Sequence, residues 1–76
     1  MRKRVTFPGV LRGEGQEADC TIAATEVTLD GTSGSAFCDY SIVKVSKALP
    51  EGHYQLNARG ETIRLRHHNG NWLSDS

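Results

Sequence analysis

A chain of 76 residues has room for one hydrophobic core, so residues 1–76 are expected to form a single small domain that buries only about 60% of its unfolded surface. Its 9 basic and 9 acidic residues cancel while 37% of the chain is hydrophobic. That balance excludes disorder, which goes with low hydrophobicity and high net charge, and it excludes a protein that coats nucleic acid by bulk charge alone.

The first residues, Met1-Arg2-Lys3-Arg4, form a short basic arm, and Pro8, Gly9, Arg12 and Gly13 then interrupt any apolar run of leader length. No stretch approaches the ~20 apolar residues of a bilayer-spanning helix. The expected location is therefore cytoplasmic, with no membrane partner. Val5-Thr6-Phe7 is expected as a short strand with Val5 and Phe7 inward, broken by Pro8-Gly9. Val10-Leu11-Arg12 resumes it, and Gly13-Glu14-Gly15 turns. Ala18 to Ala23 is the next strand, with Cys20 and Ile22 on one face, and Glu26 to Asp30 follows with Val27 and Leu29 on one face. A turn at Ala24-Thr25 would set Ile22 against Val27 and Cys20 against Leu29, matching the apolar faces but placing Asp19 opposite Asp30.

Asp30 to Ser35 is a loop by composition. The run from Tyr40 to Leu49 fits two templates: Ile42, Val45 and Leu49 make a helical stripe that Asp39 could cap. Its β-branched Ile42, Val43 and Val45, and its ending in Leu49-Pro50-Glu51-Gly52, favour a strand that closes in a turn. The clearest pattern is the last third. Polar and apolar residues alternate through His53–Ala58, Glu61–His68 and Asn71–Leu73, separated by Arg59-Gly60 and Asn69-Gly70. Alternation at period two marks half-buried strands, and Asn-Gly is a strong two-residue hairpin signal because both turn positions need positive φ. The fold class is expected to be all-β: a small antiparallel barrel or two-sheet sandwich of about six or seven short strands.

Working the two hairpins through sets Leu56 against Ile63, Tyr54 against Leu65, and His67 against Trp72. One face carries the core, with Trp72 expected to be largely buried among Tyr54, Leu56 and Leu65. The other carries His53, Gln55, Asn57, Thr62, Arg64, Arg66, His68 and Asn71, with acids only at its margins. Gln55 lies opposite Arg64 and His53 opposite Arg66. Guanidinium groups bind phosphate or carboxylate in a bidentate way, and amides add hydrogen bonds. Arg64, Arg66, His68, His53 and Gln55, with Lys44, are thus the candidate anion- or nucleic-acid-binding residues. The plainer reading is the solvated outer side of an antiparallel sheet, and the stacking aromatics of a single-strand platform are missing from this face.

His67 and His68 are adjacent and point to opposite sides of a strand, and no His-X-His, Cys-X-X-Cys or His-Glu-X-X-His spacing occurs. No metal or other cofactor is expected. Cys20 and Cys38 are expected to be small buried thiols in a reducing compartment; a single disulfide between them would need an oxidising one. Catalytic signatures are missing too: there is no Gly-X-Ser-X-Gly elbow and no phosphate-cradling glycine loop. A chain of this size has little room for an enclosed pocket of ~300 Å³ beside a core. The leading expectation is a non-enzymatic binding or regulatory domain with a protein partner. A nucleic-acid binder using the basic outer face is the alternative, and an enzyme with its site at an oligomer interface is the third reading. Oligomeric state is left open.

Overall fold

A computed structural model describes residues 2–28 and 34–75. They form six strands, β1 (Arg2–Gly13), β2 (Gln16–Thr28), β3 (Ser35–Val45), β4 (Gly52–Ala58), β5 (Glu61–His68) and β6 (Asn71–Ser74), and no helix. All neighbours are antiparallel in a single sheet of order β3-β2-β1-β4-β5-β6. The sheet curls until its two ends face each other, as a nearly closed barrel. The hydroxyl of Tyr40 on β3 donates to the Glu61 carboxylate on β5 at 2.8 Å, and Ile42, Leu65 and Trp72 line one small cavity of about 40 Å³. The all-β expectation holds, and of its two architectures the barrel is the one adopted.

The core follows from alternation. Leu11, Ile22 and Leu56 are fully buried, with Phe7, Ala18, Cys20, Ala24, Leu49 and Tyr54 around them. Gly9 faces the same interior: a side chain there would meet Ile22 and Leu56 at 3.1 Å each, so its absence lets those two close over the strand.

Three sequence expectations before residue 50 need correction. First, Pro8-Gly9 does not end a strand. β1 runs unbroken from Arg2 to Gly13 against β2. Its pairing with β4 covers only Val10, Leu11 and Arg12, so β1 has no described ladder partner on that side from Arg2 to Gly9. Counting back from the turn pair Gly13↔Gln16, Pro8 falls on a non-hydrogen-bonded pair with Thr21. Its nitrogen therefore points to the open side, where a missing N–H costs no bond.

Second, Ala24-Thr25 is not a turn. β2 is one strand, held at Thr25 by Arg4 of β1 and by Cys38 of β3. Ile22 accordingly faces Phe7 and Ile42, and Cys20 faces Gly9 and Val45, instead of Val27 and Leu29. Neither position is Gly, Asn or Pro, and pairing on both sides outweighs a weak local turn preference. Leu29 and most of the expected loop, 30–33, lie outside the described residues, and so does the suggested Asp19–Asp30 pairing; Asp19 faces Val10.

Third, Cys38 is exposed, while Cys20 is buried as expected; both are free thiols. Burial, helped by the neighbouring Asp19 charge, raises the Cys20 pKa.

The run at 40–49 is strand as far as Val45, after which Leu49 folds back into the core. β3 carries two bulges. Asp39, with φ of 54°, and Tyr40 both oppose Ala24, and Val43 is an extra residue between Ile42 and Lys44 that stands 61% exposed.

The C-terminal hairpins match the expected register pair for pair: Leu56↔Ile63, Tyr54↔Leu65 and His67↔Trp72. Both residues of each turn have positive φ, Arg59 and Gly60 at 52° and 78°, Asn69 and Gly70 at 52° and 77°. This is the type I′ geometry that suits strand twist. Trp72 departs from expectation by being half-buried. It lies on the short last strand, edge-on to Tyr54 at 5.2 Å and stacked on His67 at 4.3 Å, so an imidazole covers one ring face that further core would have covered.

Candidate functional site

The site is built on the outward side of β4 and β5. Alternation sends His53 and Gln55 out from β4, and Thr62, Arg64, Arg66 and His68 out from β5; all six are exposed. Register places Gln55 beside Arg64 and His53 beside Arg66, as the turn at Arg59-Gly60 requires. Arg64 and Arg66 leave one strand two residues apart, a Cα separation of ~6.5–7 Å.

β1 adds a residue that the hairpins alone could not signal. Arg12 pairs with Gln55, and on its other side Arg12 pairs with Glu17 of β2. One row thus crosses four strands: Glu17, Arg12, Gln55, Arg64. Gly13 makes this approach possible, because a side chain there would strike the His53 carbonyl oxygen at 2.2 Å. Beside it the turn residue Glu14 accepts a hydrogen bond from the His53 N–H at 3.0 Å. Asp75, just past β6, closes the row. Its N–H donates to the Arg64 carbonyl at 3.2 Å, and its carboxylate lies 2.8 Å from His53 Nδ1. Arg12, His53, Gln55, Arg64 and Asp75 line a shallow basin of about 380 Å³.

The charges on this side are unevenly matched. Arg12 is paired with Glu17 through Nε at 2.6 Å, His53 with Asp75, and His68 lies 3.9 Å from Glu51. No described carboxylate comes within salt-bridge distance of Arg64 or Arg66. Acids are therefore more interleaved here than the sequence implied, and the unmatched charge is confined to β5. Lys44 stands apart from the group. It is on β3 opposite Thr21 and is not among the residues that line the basin.

A larger hollow, about 480 Å³, opens where β1 and β4 stop pairing, between Pro8, Gly9 and the tip of the β4–β5 hairpin. Its polar groups are largely engaged with one another or with neighbours. Thr62 donates to Asn57 at 2.7 Å, Glu61 accepts from Tyr40, and the Arg59 guanidinium lies over Phe37 and Phe7 at 4.5 and 5.4 Å. Among the described residues no group of three or more His, Cys, Asp or Glu is placed to share a metal ion. No family model, curated protein or solved structure matches the chain.

Proposed function

We propose that this chain is a non-enzymatic binding domain whose β4–β5 outer side docks an acidic segment of a protein partner. The observation that carries this is the exposed pair Arg64 and Arg66, without a described carboxylate partner, while Arg12, His53 and His68 each have one nearby. An exposed arginine fork left to water is ready to take a carboxylate in the planar, two-bond manner that suits it.

A protein fits this side better than a nucleic acid does. A phosphodiester backbone presents closely and evenly spaced negative charge, and Glu17, Asp75 and Glu51 would lie against it. A peptide can place its carboxylates at Arg64 and Arg66 and spare the acidic neighbours, which is charge complementarity of the kind that sets specificity at protein interfaces.

The test compares wild type with Arg64→Ala/Arg66→Ala. Both side chains face solvent, so stability should change by no more than about 0.5 kcal/mol. Wild type should bind a polyglutamate probe and a protein partner from source lysate, both less well as salt rises. The double variant should bind neither. Equal binding by the variant ends this reading. Retention of wild type on duplex or single-stranded nucleic acid with a steep salt slope transfers the side to the nucleic-acid alternative.

A further inference from the structure

We infer that the basin formed by Arg12, His53, Gln55 and Arg64 is a carboxylate subsite of the docking side, and that the chain's own Asp75 occupies it as an internal competitor. The inference rests on the function proposed above and names the chemistry of one of its contacts. Asp75 supplies the observation. Among the described residues its carboxylate is the one acidic group lining the basin, 2.8 Å from His53 Nδ1 and 35% exposed. The residue is pinned there by its N–H to the Arg64 carbonyl. An acidic side chain is thus already shown against one member of this set, His53.

The donors converge from three strands. Arg12 gives its Nε to Glu17, and one such bond leaves the rest of its five-donor guanidinium for a further acceptor. Gln55 lies between Arg12 and Arg64 in the cross-strand row and offers an amide. Arg64 brings an unmatched charge. Asp75 meets only the His53 edge of this set through a side-chain bond, so an incoming carboxylate has more to gain from the basin than Asp75 takes from it. Asp75 is also attached by few described bonds, just past the four-residue β6. Displacing it costs one exposed pair and one backbone bond.

The consequence is a contact that weakens docking until an acidic partner outcompetes it. With His53 protonated, an exposed ion pair such as His53–Asp75 corresponds to a change of about 1.5- to 5-fold in an equilibrium constant. Asp75→Ala should therefore bind a blocked Glu-Gly-Glu-Gly peptide about 2- to 5-fold more tightly than wild type, and Asp75→Glu should stay near wild type. Acetate, titrated separately, should shift the Gln55 side-chain amide and Arg64 Nε–H signals in NMR spectra of Asp75→Ala at lower concentration than in wild type. Arg64→Ala in the Asp75→Ala background should abolish the acetate response.

The inference is overturned if Asp75→Ala shows no stronger acetate response than wild type, or if it binds the peptide no better while wild type binds measurably. Should acetate perturb Gln55 and Arg64 as expected while neither protein binds the peptide, the subsite stands and the docking function fails. If the peptide binds, is lost in Arg64→Ala/Arg66→Ala, and is indifferent to Asp75, docking stands and the internal competitor does not.

Discussion

The long-stranded half of the sheet, β1–β3, and the hairpin half, β4–β6, reach the same pleated geometry by different routes. In the hairpin half each strand is of eight residues or fewer, and each turn is two residues with positive φ. Register there is a local property, because the turn sets which residues oppose each other and alternation sets which way they face. In the other half the strands run 12, 13 and 11 residues. They continue through residues that break strands elsewhere, because neighbours on one or both sides hold them. Short hairpins carry their instructions with them; β1 and β2 also start from a two-residue turn, Glu14-Gly15, but how far they run depends on neighbouring strands.

The strongest way to break that comparison is to ask whether the halves unfold separately. Ile22 belongs to the long half and Leu56 to the hairpin half. Both are fully buried and both close over Gly9. Ile22→Ala and Leu56→Ala should each cost about 2–5 kcal/mol, which is a large part of the stability of so small a domain. Urea titrations followed by Trp72 emission and by far-ultraviolet circular dichroism should give one coincident midpoint in each variant. A Trp72 transition unmoved by Ile22→Ala would show two independent units.

Gly13→Ala tests the joint between the halves. The new methyl would meet the His53 carbonyl and the Tyr54 ring at contact distances of 2.2 and 2.8 Å, so β1 and β4 must separate. A loss of about 1–3 kcal/mol is expected. Binding of acidic probe should weaken too, since Arg12 leaves the row. A variant with wild-type melting would mean that the two strands are less tightly apposed than the structure has them.

Legibility follows the same division. The outward set His53, Gln55, Arg64, Arg66 and His68 was readable because two turns and a period of two fix it. Arg12 was not, since it joins the row through a β1–β4 pairing between residues more than 40 apart in the chain. Asp75 was not, because its place depends on where the chain goes after Ser74. Lys44 was grouped with the arginines on charge alone, and it does not line the basin. Pro8 and the Ala24-Thr25 pair were misread for one reason: whether a proline or a polar residue ends a strand depends on what lies beside it, and composition holds no record of that.

A smaller effect is expected at the mouth between the halves. The Arg59 guanidinium, from the β4–β5 turn, covers Phe37 at 4.5 Å and Phe7 at 5.4 Å, two rings of the long half. Arg59→Ala should cost about 0.5–1 kcal/mol, the value of an exposed cation–π contact, and Arg59→Lys should recover part of it. No loss in a chemical melt would remove this link between the halves.

The gentlest perturbation needs no substitution. Burial raises the pKa of Cys20 in β2, of Tyr54 in β4 and of Tyr40 in β3, with the Glu61 hydrogen bond adding to the rise at Tyr40. Each group keeps its proton to higher pH when folded than when unfolded. The stability they contribute is complete below the unfolded values, about 8.5 for cysteine and about 10 for tyrosine, and is lost as pH rises through the folded ones. The urea midpoint should therefore fall on the alkaline side, beginning near pH ~8.5. Cys20→Ala should delay the onset, and an unchanged onset would place the effect in the tyrosines.

The bulges of β3 bear on how copies of this protein behave at high concentration. β3 and β6 end the sheet and have no described strand beyond them, and a flat, unpaired edge is a template on which further chains can stack into filaments. β6 offers only four residues. β3 is eleven residues long, but Asp39 and Val43 bend it at two points, so its outward N–H and C=O groups do not fall on one straight line. Removing Val43 would restore continuous pairing with β2 from Thr21 to Ala23 and take away one of the two bends. The shortened chain should keep its barrel and lose its resistance to fibril growth, visible as thioflavin-positive material where the intact protein remains clear.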